Sequence, residues 1–190
     1  QAEVEARRQL VRIAYYVQKL HPTFALASSG HKIGIREGRR IIGEYTLTQQ
    51  DIVGDTCKDF HDGIAVATSQ IDFHSLTKPG HGGWRQKVIP YAIPLRALIP
   101  KGIKNLLVAG KPISGDQVAM SSDRMTPTVC AMGQAAGTAA GLAINSELDD
   151  IRDLDVNLLR KQLTREGVEL DPSKHKPFAP EVTPDPKDAE

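Results

Sequence analysis

Residues 105–144, NLLVAGKPISGDQVAMSSDRMTPTVCAMGQAAGTAAGLAI, hold the densest run of groups that could do chemistry. An apolar run, the pattern of a buried strand, ends at Gly110, where a missing Cβ lets a ligand approach the main chain closely. A polar loop with Ser114, Gly115 and Asp116 follows. Thr126-Pro127 then opens a long uncharged helix reaching about Asn145, with Thr126 suited to the N-cap and proline to the first helical position. Such a helix start presents unpaired N–H groups and the positive end of a dipole, which together suit an anion.

Inside this helix Gly133, Gly137 and Gly141 recur every four residues, with alanines between them. Glycine costs about 1 kcal/mol against alanine in a helix, so three on one face imply a strand or helix packed very close. A buried core helix is the plainer alternative. A membrane span is another, because the stretch is uncharged and its small residues are spaced as in some spanning helices. Thr, Ser, Gln and Asn flank or interrupt it, and alanine and glycine are weakly apolar, which speaks against a span.

The elements around this segment can be read from periodicity. Residues 3–20 show Val4, Val11, Ala14, Val17 and Leu20 at helical spacing, and His21-Pro22 ends that helix. Residues 31–48 carry β-branched and aromatic residues punctuated by glycine, which predicts two strands and a turn. GIAVATSQIDFH and KVIPYAIPLRAL read as further strands, the latter at an edge or lining a cleft because of Pro90 and Pro94. An amphipathic helix is expected over about 153–166, ending at Gly167; beyond Asp171 the proline- and charge-rich tail is expected to be disordered.

The bulk numbers narrow the function classes. With 190 residues, 40% hydrophobic, 25% charged and a formal net charge of +1, nothing points to a nucleic-acid or membrane-surface partner. Cys57 and Cys130 stand far apart in no metal-like spacing, so a reduced structural role is the default and no metal is expected. The chain starts at Gln1, consistent with a processed chain or fragment, and shows no signal peptide; a soluble protein of the cytoplasm or periplasm is expected, the compartment staying open. Disulfide-exchange, zinc-hydrolase and serine-hydrolase motifs are lacking.

Five blocks taken in order carry a resemblance: GIREGRRIIGEYTLT at 34–48, IDFH at 71–74, PYAIPLRALIPKGIKNLLVAGKPIS at 90–114, SSDRMTPTVCAMGQAAG at 121–137 and LDVNLLRKQLTREGVEL at 154–170. Together they resemble the FAD-dependent oxidoreductase family, with its glutathione-reductase-like flavin fold and inserted substrate domain. The resemblance implies an α/β fold: the C-terminal part of an FAD-binding domain over about 101–170, with a mostly β substrate-domain segment over about 22–100 and an N-terminal helix over 1–21. It implies FAD as cofactor, with Gly110, Lys111, Asp116, Arg124, Thr126, Pro127, Thr128 and Val129 toward it. Lys111 stands where arginine is the commoner residue, which removes a bidentate contact. The family's G-x-G-x-x-G turn is missing from this sequence, so a second polypeptide or a cleaved N-terminal part with a Rossmann-like βαβ unit is expected to complete the cofactor site.

Candidate substrate groups follow from the same frame. Arg36 and Arg39, beside Arg40, could bind an acidic or hydroxylated small molecule, or serve as a solvated turn paired with Glu37 and Glu44. His74 could take a hydroxyl proton as general base while a hydride leaves the neighbouring carbon, though a lone histidine is more often structural. Tyr91 could contact substrate or simply pack. His81 is expected to be exposed, and His61-Asp62 is discounted because adjacent side chains rarely face each other. The expected activity is oxidation of a small hydroxylated or acidic substrate; the alternative is a non-catalytic binding or scaffolding subunit.

Overall fold

The computed structural model describes residues 1–54, 58–73 and 84–177, which fall into two units, 1–36 and the remainder. The first unit is helix α1, Ala2–Leu20, and the segment that follows it. The helix ends at His21, as the proline at 22 requires. Its covered face differs from the expected one. Ala6, Leu10, Ala14 and Val17 are partly buried, whereas Val4 and Val11 stay exposed at 54% and 64%. Polar ties hold the return segment: Arg7 donates to the His31 carbonyl at 3.0 Å, and the Ile33 N–H donates to Glu3 at 3.1 Å.

The second unit is α/β, with two small antiparallel sheets and, among the described residues, four helices around one core. Strand β1, Gly63–Ala67, pairs with β4, Tyr91–Pro94; β2, Ile71–Phe73, pairs with β3, Trp84–Gln86. The two prolines bracket β4 as their missing N–H groups demand. Gly63 has to be glycine, because a Cβ there would stand 2.9 Å from the Cβ of Ala92 on β4. Helix α2 is a single turn, Gln49–Ile52; α3 spans Gln117–Asp123, α4 Thr126–Asn145 and α5 Val156–Arg165. The core joins Ile64, Ile93, Leu98, Met132, Leu159 and Leu163, so residues expected in two different domains share one interior.

Two expected strand regions are not strands. Residues 31–48 form no regular pair; the stretch 41–47 instead runs between 96–101 and 112–116, linked by bonds such as Glu44 N–H to the Ile99 carbonyl and Leu47 N–H to that of Ser114. The apolar run 105–109 lies in neither sheet and starts from a left-handed Asn105, φ 53, with Val108 N–H bonded to the Leu98 carbonyl at 2.8 Å. A parallel strand needs ladder neighbours, and no described strand runs beside this one.

Helix α5 starts later than its periodicity suggests. A 3-10 turn, Ile151–Asp153, comes first, and Asp155 then caps α5 by accepting from the Asn157 N–H at 2.9 Å. Its end is as expected: Gly167 adopts φ 88, with its N–H on the Thr164 carbonyl and that of Val168 on Leu163, the pattern that closes a helix with a left-handed residue. Structure also continues past Asp171, whose carboxylate caps a short turn, Pro172–Lys174. The proline- and charge-rich composition there is offset by burial of Pro172.

Candidate functional site

Three backbone features converge at the start of α4. The 105–109 segment delivers Gly110 in the left-handed region, φ 86, a conformation that penalises any residue with a Cβ. Gly110 is buried, and a Cβ on it would sit 3.3 Å from the Cγ1 of Val129 in the first turn of α4. The helix itself begins one residue before the expected position: Met125 is the N-cap and supplies no side-chain hydrogen bond. Thr126 therefore occupies the first helical position and Pro127 the second, both exposed, while Thr128 is buried. Without a capping side chain, the N–H groups of Thr126 and Thr128 and the dipole face no capping group, while Pro127 has no N–H and that of Val129 already goes to the Met125 carbonyl.

The loop between Gly110 and α4 is held by its own polar groups. Asp116 caps two helices at once, accepting from Ala119 N–H at 2.8 Å and from Gln49 N–H at 2.7 Å. Ser114 bonds Thr46 through their hydroxyls at 2.9 Å, and its N–H reaches the Ala97 carbonyl. Lys111 is exposed directly after Gly110. Arg124, at the C-cap of α3, is buried and donates to the Asp72 carbonyl at 2.7 Å, with the Asp72 carboxylate 3.9 Å away.

The family model for FAD dependent oxidoreductases matches residues 1–163. The chain belongs to the FAD-dependent oxidoreductase family. Comparison with curated proteins and with solved structures gives no match. Membership makes FAD the cofactor, and the α4 start suits it: an uncapped, exposed helix N-terminus beside an approachable glycine backbone is what an anionic flavin nucleotide needs. Among the described residues no helix is long and apolar enough to cross a membrane.

Against that frame of FAD binding, the residues singled out in the sequence fall into distinct places. Gly110 and Val129 are brought together, with Thr126–Thr128 beside them and Lys111 next in chain. Asp116 spends its oxygens on helix caps, and Arg124 is tied to β2. Tyr91 is 1% exposed with its hydroxyl on that of Ser122 at 2.9 Å, so it faces the interior. Burial, chiefly, pushes the Tyr91 hydroxyl's pKa well above its usual range. Arg36 and Arg39 are exposed and lie in different units, while Arg40 pairs with Glu37 at 3.3 Å. His74, Cys57 and His81 lie outside the described residues.

Sequence reading passed over Asp123 and the Asp62–Arg96 pair. Asp62 is 1% exposed and takes both Arg96 Nε, at 2.9 Å, and Nη2, at 3.2 Å, with Arg96 lying over the Tyr45 ring. That pairing holds the guanidinium's proton more firmly. Tyr45 in turn donates to Asp51 at 2.8 Å, and burial with this bond raises its pKa to about 12. No spacing rule links positions 62 and 96, so only the folded chain could pair them.

The three glycines of α4 reverse an expectation. A Cβ on Gly133, Gly137 or Gly141 would meet nothing within 4 Å, and all three are exposed. The inward face is Thr128, Met132, Ala135 and Ala139. Beside the open face runs an apolar groove lined by Leu107, Ala136, Ala140, Ala143 and Ile144.

Proposed function

We propose that this chain supplies the isoalloxazine-facing part of an FAD-dependent oxidoreductase that oxidises a hydroxylated or acidic small molecule. When bound, FAD supplies the two-electron acceptor. In this reading the first turn of α4, Thr126–Val129, holds negative charge on the cofactor through its dipole and the main-chain N–H groups of Thr126 and Thr128, with Pro127 and Val129 shaping the turn, and Gly110 lets the cofactor approach the backbone. Lys111 adds a point charge at the same turn. Arg124 and Asp116 fix the loop that positions these groups. Arg36 and Arg39 are the proposed contacts for an anionic or hydroxylated substrate, with His74 as the base that takes its hydroxyl proton. Tyr91, sealed in the interior with its hydroxyl on Ser122, packs instead of touching substrate in this reading.

The observation that carries the reading is the juxtaposition of left-handed Gly110 with an uncapped α4 start. A completing partner is part of the proposal. The 105–109 segment, which lies in neither sheet, the apolar groove and the open Gly133–Gly137–Gly141 face are together suited to a strand and helix of a Rossmann-like βαβ unit on another polypeptide. Native purification followed by an absorbance spectrum and intact masses of every chain tests this. Flavin bands with a second, glycine-turn-bearing chain are expected. A colourless, stable single chain overturns the reading in favour of a scaffolding role.

A further inference from the structure

Two residues before the Met125 N-cap of α4, Asp123 is fully enclosed at 0% exposure, and neither of its carboxylate oxygens has a hydrogen-bond partner among the described residues. Its surroundings carry charges of both signs and offer it no directed donor among the described residues. Asp116 and Arg124 bracket it on α3, Arg40 acts on it from the segment before α2, and Tyr91 lies near it on β4. Each of these groups is engaged elsewhere. The Tyr91 hydroxyl goes to Ser122, Arg124 to Asp72 of β2, and Arg40 to Glu37. Asp72 also faces Arg85 of β3 at 3.4 Å, and Asp51 of α2 is turned to Thr48 and Tyr45.

An enclosed carboxylate with no hydrogen bond is so penalised that the group keeps its proton instead of its charge. Burial pushes Asp123 up to about 8, against the opposing pull of Arg124 and Arg40. The position makes that proton consequential. A helix start carries only about half a positive charge, so a full negative charge fixed a few residues away would offset its attraction for an anion.

Resting on the flavin reading of this helix start, we propose that Asp123 is a positioning residue: its proton keeps the first turn of α4 receptive to the anionic cofactor, and its ionisation weakens that binding. The role is indirect, since the side chain is sealed and touches no ligand surface.

The test is FAD affinity of the assembled protein, read by fluorescence titration from roughly pH 6 to 9.5, in wild type and Asp123→Asn. The asparagine keeps the shape of the neutral acid and cannot ionise. Wild type should lose affinity on the order of tenfold across that range, while the variant stays flat at the low-pH value. A flat wild type, or a variant that falls in parallel, overturns the proposal. A second measurement needs no flavin: the thermal midpoint of the protein stripped of FAD should fall in wild type relative to Asp123→Asn as pH rises toward 8. Superimposable midpoint curves overturn the proposal as well. If Asp123→Asn does not fold, Asp123→Leu, apolar and of similar length, takes its place in both series. FAD that fails to bind at any pH, with the midpoint difference intact, overturns the flavin reading and this inference with it, and is thereby distinct from a flat titration.

Discussion

Asp62 and Asp123 are both sealed from water, at 1% and 0% exposure, yet the chain treats them in opposite ways. Asp62 receives the Arg96 guanidinium side-on and the Arg96 main-chain N–H at 3.1 Å, so its buried charge is met on both oxygens. Asp123 has two guanidinium groups near enough to pull on it and a hydrogen bond to neither. Proximity of opposite charge is therefore not enough. Directed donors decide whether a buried carboxylate stabilises the fold or burdens it. The satisfied pair lies where β1 begins and β4 ends, and it ties scaffold together. The unsatisfied group lies at the α3–α4 junction, beside the proposed cofactor end of α4.

The largest expected effect exploits that contrast through pH. The Asp123 carboxyl holds its proton to about 8 when folded and releases it in the ordinary carboxylate range, near 3.8, when unfolded. Below that range both states are protonated and stability is fully present. Between about pH 4 and 8 only the unfolded chain gives up the proton, so stability falls as pH rises. Wild type should lose on the order of 5 kcal/mol across that window relative to Asp123→Asn, measured by denaturant unfolding. A constant difference would mean that Asp123 finds a partner in solution, and the contrast with Asp62 would vanish.

Asp62→Ala attacks the other member. It strips the guanidinium of both side-chain acceptors, and because Arg96 is 39% exposed and can turn to water, the expected loss is about 2 kcal/mol, not the full cost of a stranded buried charge. A change below about 0.5 kcal/mol in urea unfolding would show that the pair contributes nothing net.

Asp116 offers an intermediate case, a partly buried carboxylate whose two oxygens cap α3 and α2. Asp116→Ala should cost about 1–2 kcal/mol, with Asp116→Asn recovering part of it. Equal losses in both variants would point to charge, not capping, as what matters.

The smallest effect lies on the outward face of α4. Gly137→Ala meets no atom within 4 Å, so the isolated chain should gain about 0.5–1 kcal/mol from the better helix former. The same substitution should weaken association with a completing chain, read by co-purification. A gain in stability with assembly unchanged would remove that face from the proposed interface.

Legibility in the sequence divided along the range of the interactions involved. Helices α1 and α4, strands β1 and β4 and the Gly167 stop were visible because periodicity, proline and glycine act within a few residues. The same local rules misplaced the N-cap of α4 by one residue, since Thr126 is a better cap than Met125 in isolation. They also turned 105–109 into a strand, because an apolar run records a preference for burial and not the presence of a neighbour to pair with.

The family, the cofactor and the order of glycine turn and helix start were legible along the chain, because they reside in contiguous blocks of residues. Only the packed chain sets Gly110 against Val129, leaves the glycine face of α4 open, and gives Asp62 its Arg96 while no described residue answers Asp123. The physical reason is that burial and hydrogen-bond pairing belong to the space around a side chain, filled by residues tens of positions away, and no local pattern encodes what fills it.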